Sequence, residues 1–365
     1  MSSVLYPLVR WFGELAHSIS SSPLFSGPLL LAVVYAPDAV REFLLDFANR
    51  VPGLPAPSRN FDFATTTTVL RVLFGLSVAS SLNGTLNTMA TNSWRVKPSE
   101  GWDWPKEIAV VTGGSGGIGR QIVQKLAALG VRVAVLDLQN VPEAMEHSAR
   151  IYFFKCDVTS PESVAKAADA VRRRLGHPSI LINNAGITSL TPILKIPEFE
   201  LRRTFGVNTL SHWFTAQQFV PHMVEVNKGH VVTVASIASF VALPTTAHYS
   251  ASKASALSFH ESLTGELRHW HKTTDVLTTV VHPSFTRTTL IEGAVGDREL
   301  PNRRRMLTPD DVAEPIVTQI KSRRGGQLII PSWASPIAGL KAWPTWTQEL
   351  LQDGVGRLLV SIFRR

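Results

Sequence analysis

The sequence predicts an α/β protein: a doubly wound parallel sheet of about seven strands, with a hydrophobic helical extension before it and an amphipathic helix after it. Three observations carry this. Short apolar runs alternate with helical patterns from residue 108 to 331. A glycine-rich turn follows the first run and opens the first helix. The two ends of the chain show apolar stretches without that alternation.

IAVVT at 108–112 has the length and β-branched content of a buried strand, and a helical pattern over 118–129 leads to a second strand, VRVAVLD at 131–137. IYFFKCD at 151–157, a helix from Pro161 to Leu175 and SILINNAG at 179–186 extend the series. A helix over about 207–226, HVVTVAS at 230–236, a helix over about 249–271 and VLTTVVHP at 276–283 follow. A last helix at 309–322 precedes QLIIP at 327–331. Strands that alternate with helices pair in parallel and are covered on both faces.

Residues 1–100 form the hydrophobic extension, 101–332 the α/β domain and 333–365 the tail. No secretory signal opens the chain, since MSSVLYPLVRWFGELAHS carries an Arg inside its apolar run. LLLAVVYA at 29–36 and VLFGLSVASSL at 72–82 are apolar, with PGLPAPSRN at 52–60 as a turn-rich linker between them. Both runs fall short of the ~20 residues that cross a bilayer. They predict a hairpin, a re-entrant piece or an interfacial helix, or else an extension packed on the main domain. In WTQELLQDGVGRLLVSIFRR, apolar Trp346, Leu350, Leu351, Val355, Leu358, Leu359, Ile362 and Phe363 recur at helical spacing between charged residues, and Trp333 and Trp343 lie just before. That pattern suits an amphipathic helix at a membrane interface.

The chain has 365 residues, is 44% hydrophobic and 18% charged, and carries a formal net charge of +8. Its basic residues are scattered, with no long basic run interleaved with aromatics, which argues against nucleic acid as a partner. The single cysteine, Cys156, follows an apolar run and reads as a core residue in a reducing compartment. No Cys/His cluster has zinc-ligand spacing, so no metal site is expected.

TGGSGGIG at 112–119 joins a strand to a helix, the context in which glycines let the backbone approach a pyrophosphate and the helix N-terminus attracts its charge. The spacing is Gly113-x-x-x-Gly117-x-Gly119. Asp137 ends the second strand eighteen residues after Gly119, where a carboxylate binds ribose hydroxyls and repels a 2′-phosphate. Leu138 follows it, so no cation waits there for NADP(H), and NAD(H) is favoured. Arg120, next to Gly119, keeps NADP(H) open.

HYSASKA at 248–254 places Tyr249 and Lys253 one helical turn apart on one face, thirteen residues after Ser236. An unperturbed Tyr, with a pKa of ~10, is a poor base at neutral pH. A lysine beside it favours the phenolate and lowers that pKa. Taken singly, Ser236 is also a strand-end cap, Asn208 a helix residue and Lys253 a solvated cation.

Together, TGGSGGIG, NNAG at 183–186, Asn208, Ser236 and Tyr249-x-x-x-Lys253 resemble, in order and spacing, the short-chain dehydrogenase/reductase family, over about residues 106–332. With the hydrophobic N-terminus and WDWPKEIAVVTGGSGGIG, the chain looks most like the membrane-associated retinol dehydrogenases and 17β-hydroxysteroid dehydrogenases. The resemblance implies a Rossmann-type fold and a role for each matching residue. Tyr249 would be the general acid/base, and Lys253 would lower its pKa and hold the nicotinamide ribose. Ser236 would bind the substrate oxygen, and Asn208 would support a water relay to Lys253. Gly113, Ser115, Gly117, Ile118 and Gly119 would cradle the pyrophosphate. Asp137 would meet the ribose, and Asp157 and Val158 the adenine. Asn184, Ala185 and Gly186 would line the cofactor, and Pro283, Phe285, Thr286 and Thr288 would cover the nicotinamide. Ser284 stands where the family usually has Gly, which implies an adjusted loop, and TLIEGAVGDRELPNRRRM after it reads as a substrate lid with apolar Leu290, Ile291 and Val295.

The expected function is NAD(P)(H)-dependent interconversion of a lipophilic alcohol, such as a retinoid, steroid or fatty alcohol, and its carbonyl. The alternative is a membrane-docked NAD-binding scaffold with little turnover. The expected location is the endoplasmic reticulum or lipid-droplet surface, with the catalytic domain facing the cytosol. The resemblance also implies a homodimer.

Overall fold

The computed structural model describes residues 22–50, 63–295 and 306–363. The chain divides into two compact units, Met1–Ala90 and Thr91–Arg365. The proposed linker at 52–60, the chain's first 21 residues and most of the expected lid, 296–305, lie outside the described residues.

The first unit holds helices α1 (Pro23–Tyr35), α2 (Pro37–Arg50) and α3 (Phe63–Thr91). Helix α3 departs from the sequence reading, which took only 72–82 as its apolar run. It continues for 29 residues and is long and apolar enough to cross a membrane. The helix runs through Arg71 before the run and Asn83 and Gly84 after it, and it satisfies several of its polar side chains itself. Thr68, Thr85 and Thr88 donate to the carbonyls four residues back at 2.9–3.0 Å, and Ser77 donates to Phe74 O at 2.8 Å. Arg71 is its one charged residue, and nearly all its apolar surface is exposed. Helices α1 and α2 meet at a 108° bend after Tyr35 and together make a second apolar segment, broken rather than straight. Within this unit α1 and α3 are joined by a buried hydrogen bond between the Ser26 and Ser77 hydroxyls, 2.8 Å apart. A Cβ on Gly27 would stand 3.2 Å from the Phe74 ring, so small residues set this close crossing.

The second unit is built on a seven-stranded parallel sheet in the order β3-β2-β1-β4-β5-β6-β7. The strands are β1 (Ile108–Thr112), β2 (Arg132–Asp137), β3 (Ile151–Lys155), β4 (Ile180–Asn183), β5 (Gly229–Val234), β6 (Val276–Pro283) and β7 (Gly326–Ile330). Helices α4 (Gly117–Ala128) and α10 (Pro309–Lys321) cover one face, where Ile122, Val123, Leu126, Ile316 and Ile320 pack on Val111, Val133 and Val281. Helices α5 (Pro161–Leu175) and α7 (Ser211–Glu225) cover the other with Val164, Val171, Phe219 and Met223. The central strands are buried throughout, as parallel strands covered on both faces require. Helix starts follow from local chemistry: Ser160 caps α5, and Thr308 with Asp311 forms a reciprocal capping box on α10.

The order reverses between β1 and β4, so the carboxyl ends of the strands open a crevice at the switch point, where ligands of doubly wound sheets bind. Three expectations shift in detail. The helix expected from 207 begins earlier, as α6 (Glu198–Phe205) after Pro197, and runs through a π turn (Gly206–Leu210) into α7. The helix at 249–271 is α8 (Ala247–Gly265), ending in a second π turn (Glu266–Trp270). Residues 91–100 lie against the sheet: the Asn92 amide bonds both Gly325 N and O, and Arg95 pairs with Asp275. Beyond β7, a run of 3₁₀ turns (Ser332–Ala342) leads to α11 (Thr345–Phe363). The segment after β6 forms α9 (Thr289–Val295).

Candidate active site

The glycine-rich turn is shaped by close approach. Gly113 has φ of 64°, and a Cβ there would stand 2.9 Å from Ala185 Cα. A Cβ on Gly119 would fall 2.1 Å from Gly113 O and 2.5 Å from Asn184 Nδ2, so no other residue fits. The opposite side of the turn is open, with no atom within 4 Å of a Cβ built on Gly116. Gly116 caps α4 without a side-chain hydrogen bond, which leaves the first N–H groups of the helix, from Gly117, Ile118 and Gly119, to meet an anion.

Asp137 comes off the end of β2 beside this turn. Its Oδ2 accepts from Ser115 N at 3.0 Å and its Oδ1 from Gln139 N at 3.1 Å, while Ser115 Oγ donates to Gln139 O at 2.7 Å. Asp157 takes Thr159 N and Oγ1 on its Oδ1, and Val158 is buried beside it. Asn184 ties β4 to the turn: its Nδ2 donates to Thr112 O and Gly113 O at 3.0 and 3.1 Å. Thr112, which the sequence reading missed, accepts the backbone N–H of both Asn184 and Ala185 on its hydroxyl. Pro283, Phe285, Thr286 and Thr288 follow β6 as expected, and Thr288 leans over the turn, 3.3 Å from a Cβ built on Gly117. Ser284 fits its place through a backbone bond from its N to Ile330 O at 2.8 Å. These residues fit a nicotinamide dinucleotide: an open glycine cradle at a helix start, a carboxylate at the next strand end and a loop crossing above.

Ser236, Tyr249, Lys253 and Asn208 converge at the carboxyl ends of β4 and β5. The Tyr249 hydroxyl faces the Ser236 hydroxyl, close enough for Ser236 to act on its pKa. Ser236 Oγ also accepts from Ala238 N at 3.1 Å and donates to Pro283 O at 3.4 Å. Lys253 is buried, donates to Val234 O at 2.8 Å and stands 5.8 Å from the Tyr249 ring centroid. Asn208 sits in the π turn with its amide fully engaged: Oδ1 accepts from Ile187 N, and Nδ2 donates to Ile187 O and Ser252 Oγ. Such turns recur at functional positions because they displace one residue from helical register. Ser252 in turn donates to Tyr249 O at 2.7 Å, which couples the π turn to α8. A Cβ on Gly186 would lie 3.5 Å from both Asn208 Oδ1 and Lys253 Nζ, so this glycine keeps open the space the two share.

The electrostatics revise one expectation. Loss of water around the phenol pushes the Tyr249 pKa up, and the Ser236 hydroxyl opposes that shift. Lys253 was expected to supply the lowering. Its ammonium turns instead to the Val234 carbonyl, and burial brings its own pKa down to about 8. Behind it lie four buried histidines, His212, His230, His260 and His282, held neutral by desolvation with pKa values of about 3, 3, 3 and 4. Burial also pushes the Cys156 thiol up to about 11, in keeping with an inert core residue.

The histidines predict acid sensitivity. Above pH ~6.5 they are neutral in both states and cost nothing. As pH falls below that, the unfolded chain takes up protons that the folded chain refuses until about 4, so stability drops through this window. The urea midpoint of the detergent-solubilised protein should be lower at pH 5 than at pH 7.5; equal midpoints would refute this.

A cavity of ≈ 830 Å³ opens beside the start of α8. Ile193, Ala242, Leu243, Pro244 and Ala247 give it an apolar wall, and α11 lines the other side with Glu349, Gln352, Asp353, Gly356 and Arg357. A Cβ on Gly356 would stand 3.4 Å from Pro244 Cγ, so this glycine sets how closely α11 approaches.

A sequence model of the family described as short chain dehydrogenase matches residues 107–299. Dehydrogenase RED2 of Cochliobolus heterostrophus is 38% identical over 57% of this chain and 80% of its own. Epidermal retinol dehydrogenase 2 of Mus musculus is 31% identical over 68% of this chain and 82% of its own. Estradiol 17-beta-dehydrogenase 11 of Macaca fascicularis is 34% identical over 51% and 64%. Among solved structures, a short-chain dehydrogenase from Novosphingobium aromaticivorans superposes with a TM-score of 0.56 at 26% identity, over 66% of this chain and 86% of its own. The chain belongs to the short-chain dehydrogenase family, in the group of the retinol and 17β-hydroxysteroid dehydrogenases, and is an oxidoreductase acting on CH–OH groups.

Proposed function

We propose that the chain interconverts a lipophilic alcohol and its carbonyl, with Tyr249 as the general acid/base. The observation that carries this is the placement of Tyr249 facing Ser236 at the carboxyl ends of the strands, with Lys253 one turn along the same helix. The nicotinamide, when bound, supplies the hydride acceptor or donor. In the oxidative direction the Tyr249 oxygen removes the alcohol proton as the carbonyl forms; in reduction it returns the proton. Ser236 donates to the substrate oxygen, exchanging its long 3.4 Å bond to Pro283 O for a better one. Lys253, poised at about 8, exchanges its proton near working pH with water in the space above Gly186, a relay that Asn208 supports.

For the cofactor we favour NAD(H), because the Asp137 carboxylate at the end of β2 repels a 2′-phosphate. Gly113, Ser115, Gly117, Ile118 and Gly119 hold the pyrophosphate; Asp157 and Val158 meet the adenine edge. Asn184, Ala185, Gly186 and the loop from Pro283 to Thr288 hold the nicotinamide end.

The names of the relatives, a retinol and an estradiol dehydrogenase, support a lipophilic substrate, as does the apolar cavity wall. Helix α3 supports a membrane anchor, and Trp346, Leu350 and Leu351, exposed on α11, support an interfacial tail. We therefore assign residues 1–90 to the anchor, 91–331 to the catalytic domain and the remainder to the tail. The site of action is the endoplasmic reticulum or lipid-droplet surface, with the catalytic domain in the cytosol. A homodimer through α7 and α8 is supported by exposed Trp213 beside Phe259, 4.6 Å between ring centroids.

The test is nicotinamide absorbance over time for the full chain in detergent, with NAD⁺ or NADP⁺ and a panel of retinol, sterols, long-chain alcohols and a short water-soluble alcohol. Turnover of a lipophilic member with kcat/KM at least about tenfold above the short alcohol is expected, since each buried methylene contributes. Silence across the panel with NADH binding intact would favour a cofactor-binding scaffold.

A further inference from the structure

His282 is the last residue but one of β6, and nothing in its sequence context marks it. It is fully buried, yet both ring nitrogens are engaged. Nδ1 lies 3.0 Å from the backbone carbonyl of Ser236, and Nε2 lies 3.2 Å from Gln327 Nε2 on β7. A carbonyl only accepts, so Nδ1 carries the proton; Nε2 is then the acceptor and Gln327 its donor. One neutral tautomer satisfies every group, and the ring is further held by Phe240, 4.5 Å between centroids. The next residue, Pro283, accepts the Ser236 hydroxyl on its carbonyl. The dipeptide His282–Pro283 therefore grips Ser236 twice, at its backbone and at its side chain. Ser236 lies just beyond the end of β5, where ladder pairing with β6 stops at Val234↔Val281 and Ala235 N makes one last bond to Val281 O. Past that point His282 takes over the work of the ladder.

We propose that His282, oriented by Gln327, is a positioning residue for Ser236 and sets where its hydroxyl stands against Tyr249. The inference rests on the proposed roles of Ser236 and Tyr249. Its consequence is specific. The Ser236 hydroxyl opposes the upward shift of the phenol, so a displaced Ser236 lets the Tyr249 pKa rise further. The titratable groups facing His282 are Lys253 and His260; neither bonds to it.

The test compares His282→Phe, His282→Asn and His282→Gln in the full chain, with Ser236→Ala as reference. Phe keeps the ring contact and loses the donor. Asn places its amide Nδ2 where Nδ1 was, whereas Gln reaches toward the Nε2 position. His282→Phe should lower kcat for alcohol oxidation about 10²-fold, the scale of a small misplacement at a reacting centre. It should leave the cofactor KM unchanged and move the limb of the kcat–pH profile on which the base is deprotonated to higher pH. Asn should restore most of the rate and the limb; Gln should not. An unshifted limb in His282→Phe, or equal defects in Asn and Gln that track their melting temperatures, would overturn the inference. Ser236→Ala impaired with His282→Phe normal defeats this inference alone. Ser236→Ala normal defeats the reading beneath it, and this inference with it.

Discussion

Tyr249→Phe is expected to lower kcat by about 10²–10⁴-fold, the contribution of general acid–base catalysis, while leaving cofactor binding intact. The substitution removes one oxygen. That oxygen faces Ser236 and bonds no backbone group among the described residues, so the ring and α8 keep their packing. Ser252 continues to accept from Asn208 and to bond Tyr249 O through the backbone, which the substitution does not touch. Lys253 keeps Val234 O as its partner. The expected pattern is a collapse of kcat with NADH affinity measured by fluorescence unchanged; activity within a few-fold of wild type would remove Tyr249 from the chemistry. In the active enzyme the rate of alcohol oxidation should rise with pH, because the raised phenol must lose its proton to act as base.

Gly119→Ala should do the reverse, striking the cofactor before the chemistry. The added methyl would fall 2.1 Å from Gly113 O, 2.5 Å from Asn184 Nδ2 and 2.9 Å from Gly113 C. Two of the three are backbone. The third is the amide that fastens β4 to the turn through Thr112 O and Gly113 O. Relief requires the turn to open or Asn184 to leave, and either movement spoils the row of N–H groups at the start of α4. Overpacking of this kind costs about 1–3 kcal/mol. Borne by the cofactor-competent turn, that is about a 5- to 150-fold rise in Kd. Gly265→Ala is the control: nothing lies within 4 Å of its Cβ, and a helical alanine in its place is neutral or mildly stabilising. Unchanged cofactor affinity in Gly119→Ala would show that the cradle lies elsewhere.

Much of this was legible in the sequence because the chemistry is local there. Tyr249 and Lys253 share a helix face by spacing alone, and the glycine turn announces itself between a strand and a helix. The alternation of IAVVT, VRVAVLD and their successors gave the parallel sheet. What the sequence hid depends on contacts between distant segments or on polar atoms satisfied within an element. Helix α3 read as a short run because Arg71 and Asn83–Gly84 flank it, whereas the helix runs through both, its threonine hydroxyls spent on its own carbonyls. The reach of Lys253 to Val234 O depends on where β5 ends. Thr112 and His282 act across the sheet, and no spacing rule finds them. Asn208 was found by its place in the motif, but the π turn that presents it was read as plain helix.

The most direct measurement follows the hydride itself. The full chain in detergent is incubated with its oxidised nicotinamide cofactor and lipophilic alcohols deuterated at the carbinol carbon, and the reduced cofactor is analysed by mass spectrometry. The account predicts one deuterium per reduced nicotinamide from at least one such alcohol, and none above background from the Tyr249→Phe protein. Undiminished transfer by Tyr249→Phe, or no transfer from any lipophilic alcohol by a protein that demonstrably binds the cofactor, would contradict it.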